Sequence, residues 1–198
     1  MIVSHKPKMA FIKPNKIAGT SIVNILATSL EFDNSLRAVD KGDHQTFRQL
    51  EQVISIKEYY VFSFVRNPWD RLVSMFRYLK EIEVPKRKKE NKPYDVTLET
   101  MHFKEYIKSS DVFKPRSFYD FFKNKNNKID LNFIGKFENL DKDFEKVKKE
   151  LNLNFKKIPH KNKSKHKHYT EYYNDETKQI VAKKYAKDIE HFGYEFGE

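Results

Sequence analysis

The stretch over residues 11–22 constrains the fold most, because its pattern predicts a strand, a tight loop and a helix in immediate succession. The apolar run at residues 9–12 predicts a short strand that ends before Pro14. Beyond the small residues that end at Gly19, apolar side chains recur at helical spacing over residues 22–30. This succession is typical of the repeating unit of an α/β fold.

The loop before this helix has the composition of an anion site. The first backbone N–H groups of a helix lack partners inside it and lie at the positive end of its dipole. Lys16 adds a positive charge, and Gly19 allows a ligand to approach the backbone. Thr20 and Ser21 carry hydroxyls that can donate to phosphate oxygens. The pattern predicts a phosphate ligand, and the alternative is an ordinary strand-to-helix turn that Thr20 or Ser21 caps.

This loop differs from the phosphate loop of nucleoside-triphosphate enzymes. That loop has the pattern G-x-x-x-x-G-K-[ST], in which a lysine follows the second glycine. Here Gly19 is the only glycine of the stretch, and Lys16 precedes it. The sequence therefore disfavours a kinase that binds a triphosphate.

The remainder of the chain continues the alternation of strands and helices. Residues 58–65 and 131–137 are rich in apolar and aromatic residues and predict two further strands. Amphipathic helices are predicted after Pro68 and over residues 141–151 and 175–189. We therefore predict a single α/β domain over the whole chain, with three α/β/α layers and a mainly parallel central sheet.

Two basic residues follow strands of this predicted sheet. Lys16 and Arg66 each lie between a strand and a helix, and ligands of such sheets bind beyond the carboxyl ends of the strands. If the two strands are neighbours, both cations face one crevice and can hold two separate phosphates. Ser74 lies about two helical turns beyond Arg66 and could reach the same phosphate. The alternative for Arg66 is a structural salt bridge.

Composition excludes several classes of protein. With 38% hydrophobic residues, the chain has enough apolar surface to fold, although 34% of its residues are charged. It has no cysteine, so a disulfide framework and a cysteine-ligated metal are both excluded. We expect a cytoplasmic protein, because the sequence shows neither a signal-peptide pattern nor an apolar run of membrane-spanning length.

The net charge of +11 is concentrated in two basic runs, residues 86–92 and 156–168. The first lies within residues 81–98, which lack apolar periodicity and are interpreted as a mobile insertion. Such local excess indicates contact with a polyanion at two loops, and the alternative is a pair of solvated loops. His160, His166 and His168 lie in the second run, where alternation with lysine offers no closed set of metal ligands.

Five segments resemble sulfotransferases. Residues 11–22 are similar to their 5′-phosphosulfate loop, and residues 64–74 are similar to their 3′-phosphate motif, including Arg66 and Ser74 at its spacing. Residues 134–140, 159–164 and 188–194 follow in the order found in the carbohydrate branch, which includes the chondroitin, dermatan and uronosyl 2-sulfotransferases. The resemblance covers nearly the whole chain.

The resemblance implies a P-loop-like sulfotransferase fold and the donor 3′-phosphoadenosine 5′-phosphosulfate (PAPS), with no metal. Arg66 and Ser74 would hold the 3′-phosphate, and the basic loop at residues 156–170, through Ser164, would cover the nucleotide. The 5′-phosphosulfate would be held by the residues of the first loop, namely Lys16, Ile17, Ala18, Gly19, Thr20 and Ser21.

Three positions depart from the usual sulfotransferase loop. Asn15 stands where the family usually has proline, Ile17 where it usually has threonine, and Lys13 where many members have histidine. Loss of the threonine hydroxyl removes one phosphate donor, although the backbone N–H of Ile17 remains. The departures are compatible with altered binding of the donor, and also with a member of the family that has no activity.

His44 is the candidate general base, because an unperturbed histidine has a pKa of about 6.5 and is partly neutral at pH 7. By resemblance, it lies in the stretch where uronosyl 2-sulfotransferases carry a catalytic histidine, whereas their second histidine is replaced here by Gly42. The alternatives for His44 are a helix cap or a surface residue. Glu138 is a second candidate base or a partner for a nearby cation.

We therefore predict transfer of a sulfuryl group from PAPS to an acceptor hydroxyl, with a glycan as the expected acceptor. His44 would act as general base, and Lys16 would stabilise the leaving phosphate. The alternatives are a non-catalytic module that binds polyanions or nucleic acid, and a small-molecule kinase. The sequence does not determine the oligomeric state or identify the acceptor.

Overall fold

A computed structural model describes residues 1–29, 44–110, 112–154 and 167–198. The chain forms two compact units, of which the first comprises Met1–Arg66 with Ser117–Lys163 and the second comprises Asn67–Arg116 with Ser164–Glu198. The single domain expected from the sequence stays a prediction.

A four-stranded sheet lies in the first unit. Its strands are β1 (Ile2–His5), β2 (Lys8–Phe11), β3 (Tyr60–Val65) and β4 (Phe133–Lys136), in the spatial order β1-β2-β3-β4. The first pair is antiparallel, whereas β2 with β3 and β3 with β4 are parallel. The mainly parallel sheet predicted from the sequence is confirmed, and β1 was not predicted.

Buried aromatic residues fix the register of the parallel strands. Phe11 of β2 pairs with Phe62 of β3, and their rings stack with centroids 5.1 Å apart. On the other side, Phe64 pairs with Gly135 of β4. Ser63 is fully buried, and its hydroxyl donates to the carbonyl oxygen of Ile12 at 2.7 Å. This polar contact continues the pairing of β2 and β3 beyond the last residue of β2.

Nine α-helices occur in the described residues: α1 (Gly19–Ser29), α2 (Phe47–Leu50), α3 (Pro68–Tyr78), α4 (Val84–Lys89), α5 (Phe103–Lys108), α6 (Phe118–Phe122), α7 (Leu140–Glu150), α8 (Asp175–Lys184) and α9 (Ala186–Phe192). Shorter helical turns cover Ile56–Glu58, Leu79–Glu83, Val96–Glu99, Phe137–Asn139 and Tyr169–Tyr172. The fold is thus a mixture of α-helices and a mostly parallel sheet, as predicted.

The first unit buries the apolar faces of its helices. In α1, Ile22 and Leu26 are fully buried, as the predicted helical spacing requires. In α7, Phe144 contacts Phe64 of the sheet with ring centroids 6.1 Å apart. Packing of this kind holds in place the strand ends that precede Lys16 and Arg66.

The second unit has its own core around α3. The side chain of Asn67 caps this helix by accepting a hydrogen bond from the backbone N–H of Trp69 at 3.1 Å, and Pro68 occupies its first position. Trp69 is a core residue. Its indole N–H donates to the carbonyl oxygen of Lys178 in α8 at 3.1 Å, so the ring is satisfied while buried.

Residues 81–98 have more regular structure than the sequence predicts. A π-helical turn at Leu79–Glu83 leads into α4, and a 3₁₀ turn follows at Val96–Glu99. Val84 and Leu98 are buried in the core of the second unit. These apolar anchors lie 14 residues apart by their numbers, which is too sparse to give a periodic pattern. The proposed mobility of the segment stays a prediction.

Among the described residues, none of the helices combines the length and apolar character needed to cross a membrane.

Candidate functional site

Lys16 and Arg66 meet at one edge of the sheet. Strands β2 and β3 are parallel neighbours, so the residues that follow them emerge at the same side. The Nη1 group of Arg66 donates a hydrogen bond to the carbonyl oxygen of Lys16 at 3.1 Å. The guanidinium also lies over the ring of Phe137, with its central carbon 4.0 Å from the ring centroid. Arg66 is thus buried and held against the loop that contains Lys16.

The backbone of this loop takes an unusual path. Lys16 and Ala18 have φ values of 68° and 60°, in the left-handed region that non-glycine residues rarely adopt. Such turns point successive N–H groups into a concavity that suits an anion. The helical hydrogen bonds of α1 begin where the N–H of Ile22 donates to the carbonyl of Ala18 at 3.1 Å. The N–H groups of residues 19–21 therefore precede the first of these bonds.

The side chains of the loop divide between core and surface. Ile17 is fully buried, so its departure from the usual threonine places an apolar side chain in the core of the first unit. Thr20 is exposed, whereas Ser21 is buried. Gly19 is closely packed, because a Cβ atom at this position would lie 2.5 Å from Cγ of Lys13, whose side chain would have to move.

The environment of Lys16 makes its ammonium group lose a proton more easily than that of an ordinary lysine. Burial lowers the pKa of its ammonium group to about 8, and the charge of Arg66 acts in the same direction. An anion bound beside both cations would compensate this repulsion. A half-buried lysine next to an arginine is therefore an arrangement suited to a phosphate or sulfate group.

His44 is fixed on the same loop by both ring nitrogens. Its Nδ1 lies 2.9 Å from the carbonyl oxygen of Lys13, and its Nε2 lies 2.9 Å from the side-chain nitrogen of Asn15. The N-cap of α2 is Thr46, whose backbone N–H donates to the side chain of Gln49 at 2.8 Å. His44 is thus not the helix cap that the sequence left open, although it is exposed.

The predicted site residues do not all belong to one unit. Lys16 to Ser21, His44 and Arg66 all belong to the first unit, whereas Ser74 is half-buried in α3 of the second unit. Glu138 is exposed in the helical turn after β4. Residues 156–166 of the predicted basic loop, with His160, Ser164 and His166, lie outside the described residues. In the described part of the chain, no cluster of three or more His, Asp or Glu side chains could hold a metal ion.

Two contacts at the site were not predicted from the sequence. Asn15 was interpreted only as a departure from proline, and its contact with His44 joins residues 29 positions apart in the chain. Phe137, the aromatic platform for Arg66, lies in a segment assigned to a strand. The sequence carries no local signal for either contact, because both depend on how separate segments pack.

The protein is thus a mixed α/β protein in which the loop between a parallel strand and a helix has a geometry and charge that suit an anion. The model of the sulfotransferase family matches residues 1–195, and the chain therefore belongs to the sulfotransferase family. An uncharacterized protein from Archaeoglobus fulgidus is 32% identical over 96 residues, which is 48% of this chain and 69% of that protein. No solved structure is a significant match to the chain.

Membership of this family has three direct consequences. The fold is the P-loop-like α/β fold of sulfotransferases, with which the mostly parallel sheet agrees. The chemistry is that of a sulfotransferase enzyme, which requires a nucleotide donor and an acceptor. Enzymes of this family generally use PAPS as co-substrate.

Proposed function

We propose that the chain transfers a sulfuryl group from PAPS to the hydroxyl of an acceptor, with a carbohydrate as the favoured acceptor class. The observation that supports this most is the contact between Arg66 and the loop of Lys16 at the carboxyl ends of two neighbouring parallel strands. A donor with two separated phosphates needs two cationic positions at one edge of the sheet. The left-handed loop and the half-buried ammonium group of Lys16 fit the 5′-phosphosulfate.

Each residue has a defined task in this proposal. PAPS supplies the sulfuryl group and leaves as 3′,5′-ADP. Lys16 stabilises the negative charge that develops on the bridging oxygen as the bond between sulfur and the 5′-phosphate breaks. His44 accepts the proton of the acceptor hydroxyl through Nε2 while that oxygen bonds to sulfur. The loop backbone orients the donor for displacement in line.

Arg66, together with Ser74, is proposed to hold the 3′-phosphate, as the family resemblance suggests. The contact of Arg66 with the carbonyl of Lys16 adds a second task, which is to support the 5′-phosphosulfate loop. A guanidinium carries five N–H donors in a planar fork and can serve a carbonyl and an anion together. The basic loop at residues 156–170, including Ser164, is proposed to cover the nucleotide.

Nucleotide selectivity tests the proposal directly. We expect 3′,5′-ADP at about 100 times its Kd to raise the melting temperature by roughly 5–10 °C, because this occupancy stabilises the native state by about 2.7 kcal/mol. ATP with Mg²⁺ should give a clearly smaller shift. A larger shift with ATP and Mg²⁺ would favour the kinase alternative. Binding of heparin with a steep salt dependence and no response to 3′,5′-ADP would favour the polyanion-binding module.

The two tasks of Arg66 can be separated by calorimetry of Arg66→Gln with 3′,5′-ADP and with 5′-AMP. If Arg66 holds the 3′-phosphate, the variant should lose the preference of the wild-type protein for 3′,5′-ADP. If the affinities for both nucleotides fall equally, the role of Arg66 is limited to support of the loop. Arg66→Lys is the matched control, because it keeps the charge and removes the planar fork.

His44→Ala should lower turnover by about 10² or more while 3′,5′-ADP still binds, since the substitution removes the proton acceptor and leaves the cations in place. The measurement is transfer of labelled sulfate from PAPS across a panel of glycans. His102→Ala is a suitable control, because His102 is exposed, precedes α5 and belongs to none of the segments proposed to bind the donor. Wild-type turnover of His44→Ala would remove His44 from the mechanism.

A further inference from the structure

The hydrogen bonds of His44 determine where its ring carries a proton. The carbonyl oxygen of Lys13 can only accept, so the nitrogen 2.9 Å away, Nδ1, must be the donor. The amide nitrogen of Asn15 can only donate, so Nε2, at 2.9 Å from it, must accept with its lone pair. The two contacts together select the neutral tautomer with the proton on Nδ1 and the basic lone pair on Nε2.

The contact with Asn15 depends on a residue type that this chain has in place of the usual proline. Proline has no side-chain polar group, whereas the carboxamide of Asn15 presents both a donor and an acceptor. Its NH₂ group fits the neutral ring, and rotation of the amide by half a turn presents its oxygen to a protonated Nε2–H. One side chain can therefore bind His44 before and after proton uptake.

The same contacts set the position of His44 relative to the loop. Both partners, the Lys13 carbonyl and the Asn15 side chain, precede Lys16 by three residues or fewer. The ring is therefore attached to the segment that carries the proposed leaving-group cation. A base and a cation held on one short loop keep their separation when the rest of the molecule moves.

We propose that Asn15 is a positioning residue for the general base. The amide of Asn15 holds the Nε2 lone pair of His44 at the donor loop until the acceptor hydroxyl replaces the amide. After proton transfer, the amide oxygen accepts a hydrogen bond from the protonated Nε2. This inference rests on the proposed function for its catalytic part, whereas the tautomer of His44 is independent of any activity.

Nitrogen-15 NMR of the histidine rings tests the tautomer in the full chain without substrate, with the His44 signals assigned from their absence in His44→Gln. We expect wild-type Nδ1 to be protonated and Nε2 to be unprotonated at neutral pH. In Asn15→Leu, which keeps the shape and lacks the amide, the Nε2 resonance should shift because its hydrogen bond is lost. Asn15→Ala repeats this comparison without added bulk, should the leucine impair folding.

Asn15→Asp is the matched variant with reversed polarity. A carboxylate can only accept, so it should favour a ring protonated at both nitrogens, visible as a protonated Nε2 signal at a pH where the wild-type signal is unprotonated. Turnover at saturating PAPS should fall at least tenfold in Asn15→Leu and further in Asn15→Asp. A purely structural role would affect the leucine variant at least as strongly as the aspartate variant.

Two results would overturn the inference. One is a wild-type ring protonated at Nε2 and not at Nδ1. The other is an Nε2 resonance and a turnover that are unchanged in both Asn15→Leu and Asn15→Ala. If His44→Gln keeps full turnover while the expected tautomer and the shift in Asn15→Leu are observed, the proposed base has failed and the hydrogen-bond assignment stands.

Discussion

Lys16 is the residue at which backbone geometry and electrostatics coincide. Its φ of 68° is uncommon for a residue with a side chain, and its ammonium group is half-buried near Arg66. Each condition alone has a cost for the folded protein. A bound anion would offset the electrostatic part, so the loop is better matched to a complex than to the protein alone.

The pKa of Lys16 predicts proton uptake on nucleotide binding. The value of about 8 in the free protein means that much of the ammonium group is deprotonated above pH 8, and a bound phosphate should raise the pKa again. Affinity for 3′,5′-ADP should therefore be highest below pH 8 and decrease as the pH rises through this value. Calorimetry at pH 8.5 in buffers of different ionisation enthalpy should detect proton uptake.

Lys16→Met provides the control, because it keeps an apolar stem of similar length and has no titratable group. Its affinity should be weaker at pH 7 and should lose the decrease above pH 8. A decrease of the same size in Lys16→Met would assign the effect to another group.

Convergence of Lys16 and Arg66 could be predicted from the sequence because it follows from topology. Each residue lies after a strand, and parallel neighbouring strands end at the same edge. The contacts of His44 with Asn15 and Lys13 could not be predicted, because contacts between residues 29 and 31 positions apart depend on packing and not on local pattern. Local pattern likewise does not show that Ile17 is a core residue.

Among the elements, the strand pair β3 and β4 is closely packed at Gly135. Phe64 is fully buried opposite Gly135, and a Cβ atom added to this glycine would lie 2.3 Å from Cε1 of the Phe64 ring. The absence of a side chain at Gly135 therefore lets the aromatic ring pack between the strands. Arg66 follows β3 directly, so this packing also supports the site.

Gly135→Ala should lower the free energy of unfolding by about 1–3 kcal/mol, because the added methyl group forces Phe64 out of its position. Urea unfolding followed by circular dichroism measures the loss. Phe64→Leu is the matched partner, since it opens space beside position 135. The double variant should lose less than the sum of the two single losses, and strict additivity would mean that the predicted clash does not occur.

The prediction of elements succeeded where a segment was long and its composition distinct. Strand β3 and helices α1 and α7 lie where the apolar patterns indicate them, whereas the single helix predicted over residues 175–189 is divided at Tyr185 into α8 and α9. Strand β1 has only four residues, and its existence depends on antiparallel pairing with β2. The helical turns within residues 81–98 are likewise anchored by single buried residues, which give no periodic signal.

At the scale of the whole molecule, the basic run at residues 86–92 carries less unpaired positive charge than its composition indicates. Arg87 pairs with Glu83 at 2.6 Å, Lys88 with Glu99 at 2.7 Å, and Lys92 with Glu90 at 2.8 Å. Exposed pairs of this kind contribute little to stability. Their main effect is to neutralise part of the local charge.

Trp69 allows a prediction about cooperativity, because it is the only tryptophan of the chain and lies in the second unit, whereas the proposed phosphate-binding cations lie in the first. If the chain is one domain, 3′,5′-ADP should shift the urea midpoint of Trp69 fluorescence and that of far-UV circular dichroism equally. A shift seen by circular dichroism alone would mean that the units unfold separately. Trp69→Phe, measured by fluorescence at the same wavelength, gives the background signal of the tyrosines.

The left-handed turns at Lys16 and Ala18 determine which substitutions can reveal how the loop works. Under the proposed function, much of the recognition of sulfate comes from main-chain amides, and substitution of side chains leaves those amides in place. An alanine scan over residues 17–21 would therefore underestimate their importance, whereas replacement of single amides by esters would reveal it. For the same reason, under the proposed function a change of side chain along this loop, such as isoleucine at position 17, is compatible with donor binding as long as the path of the chain is kept.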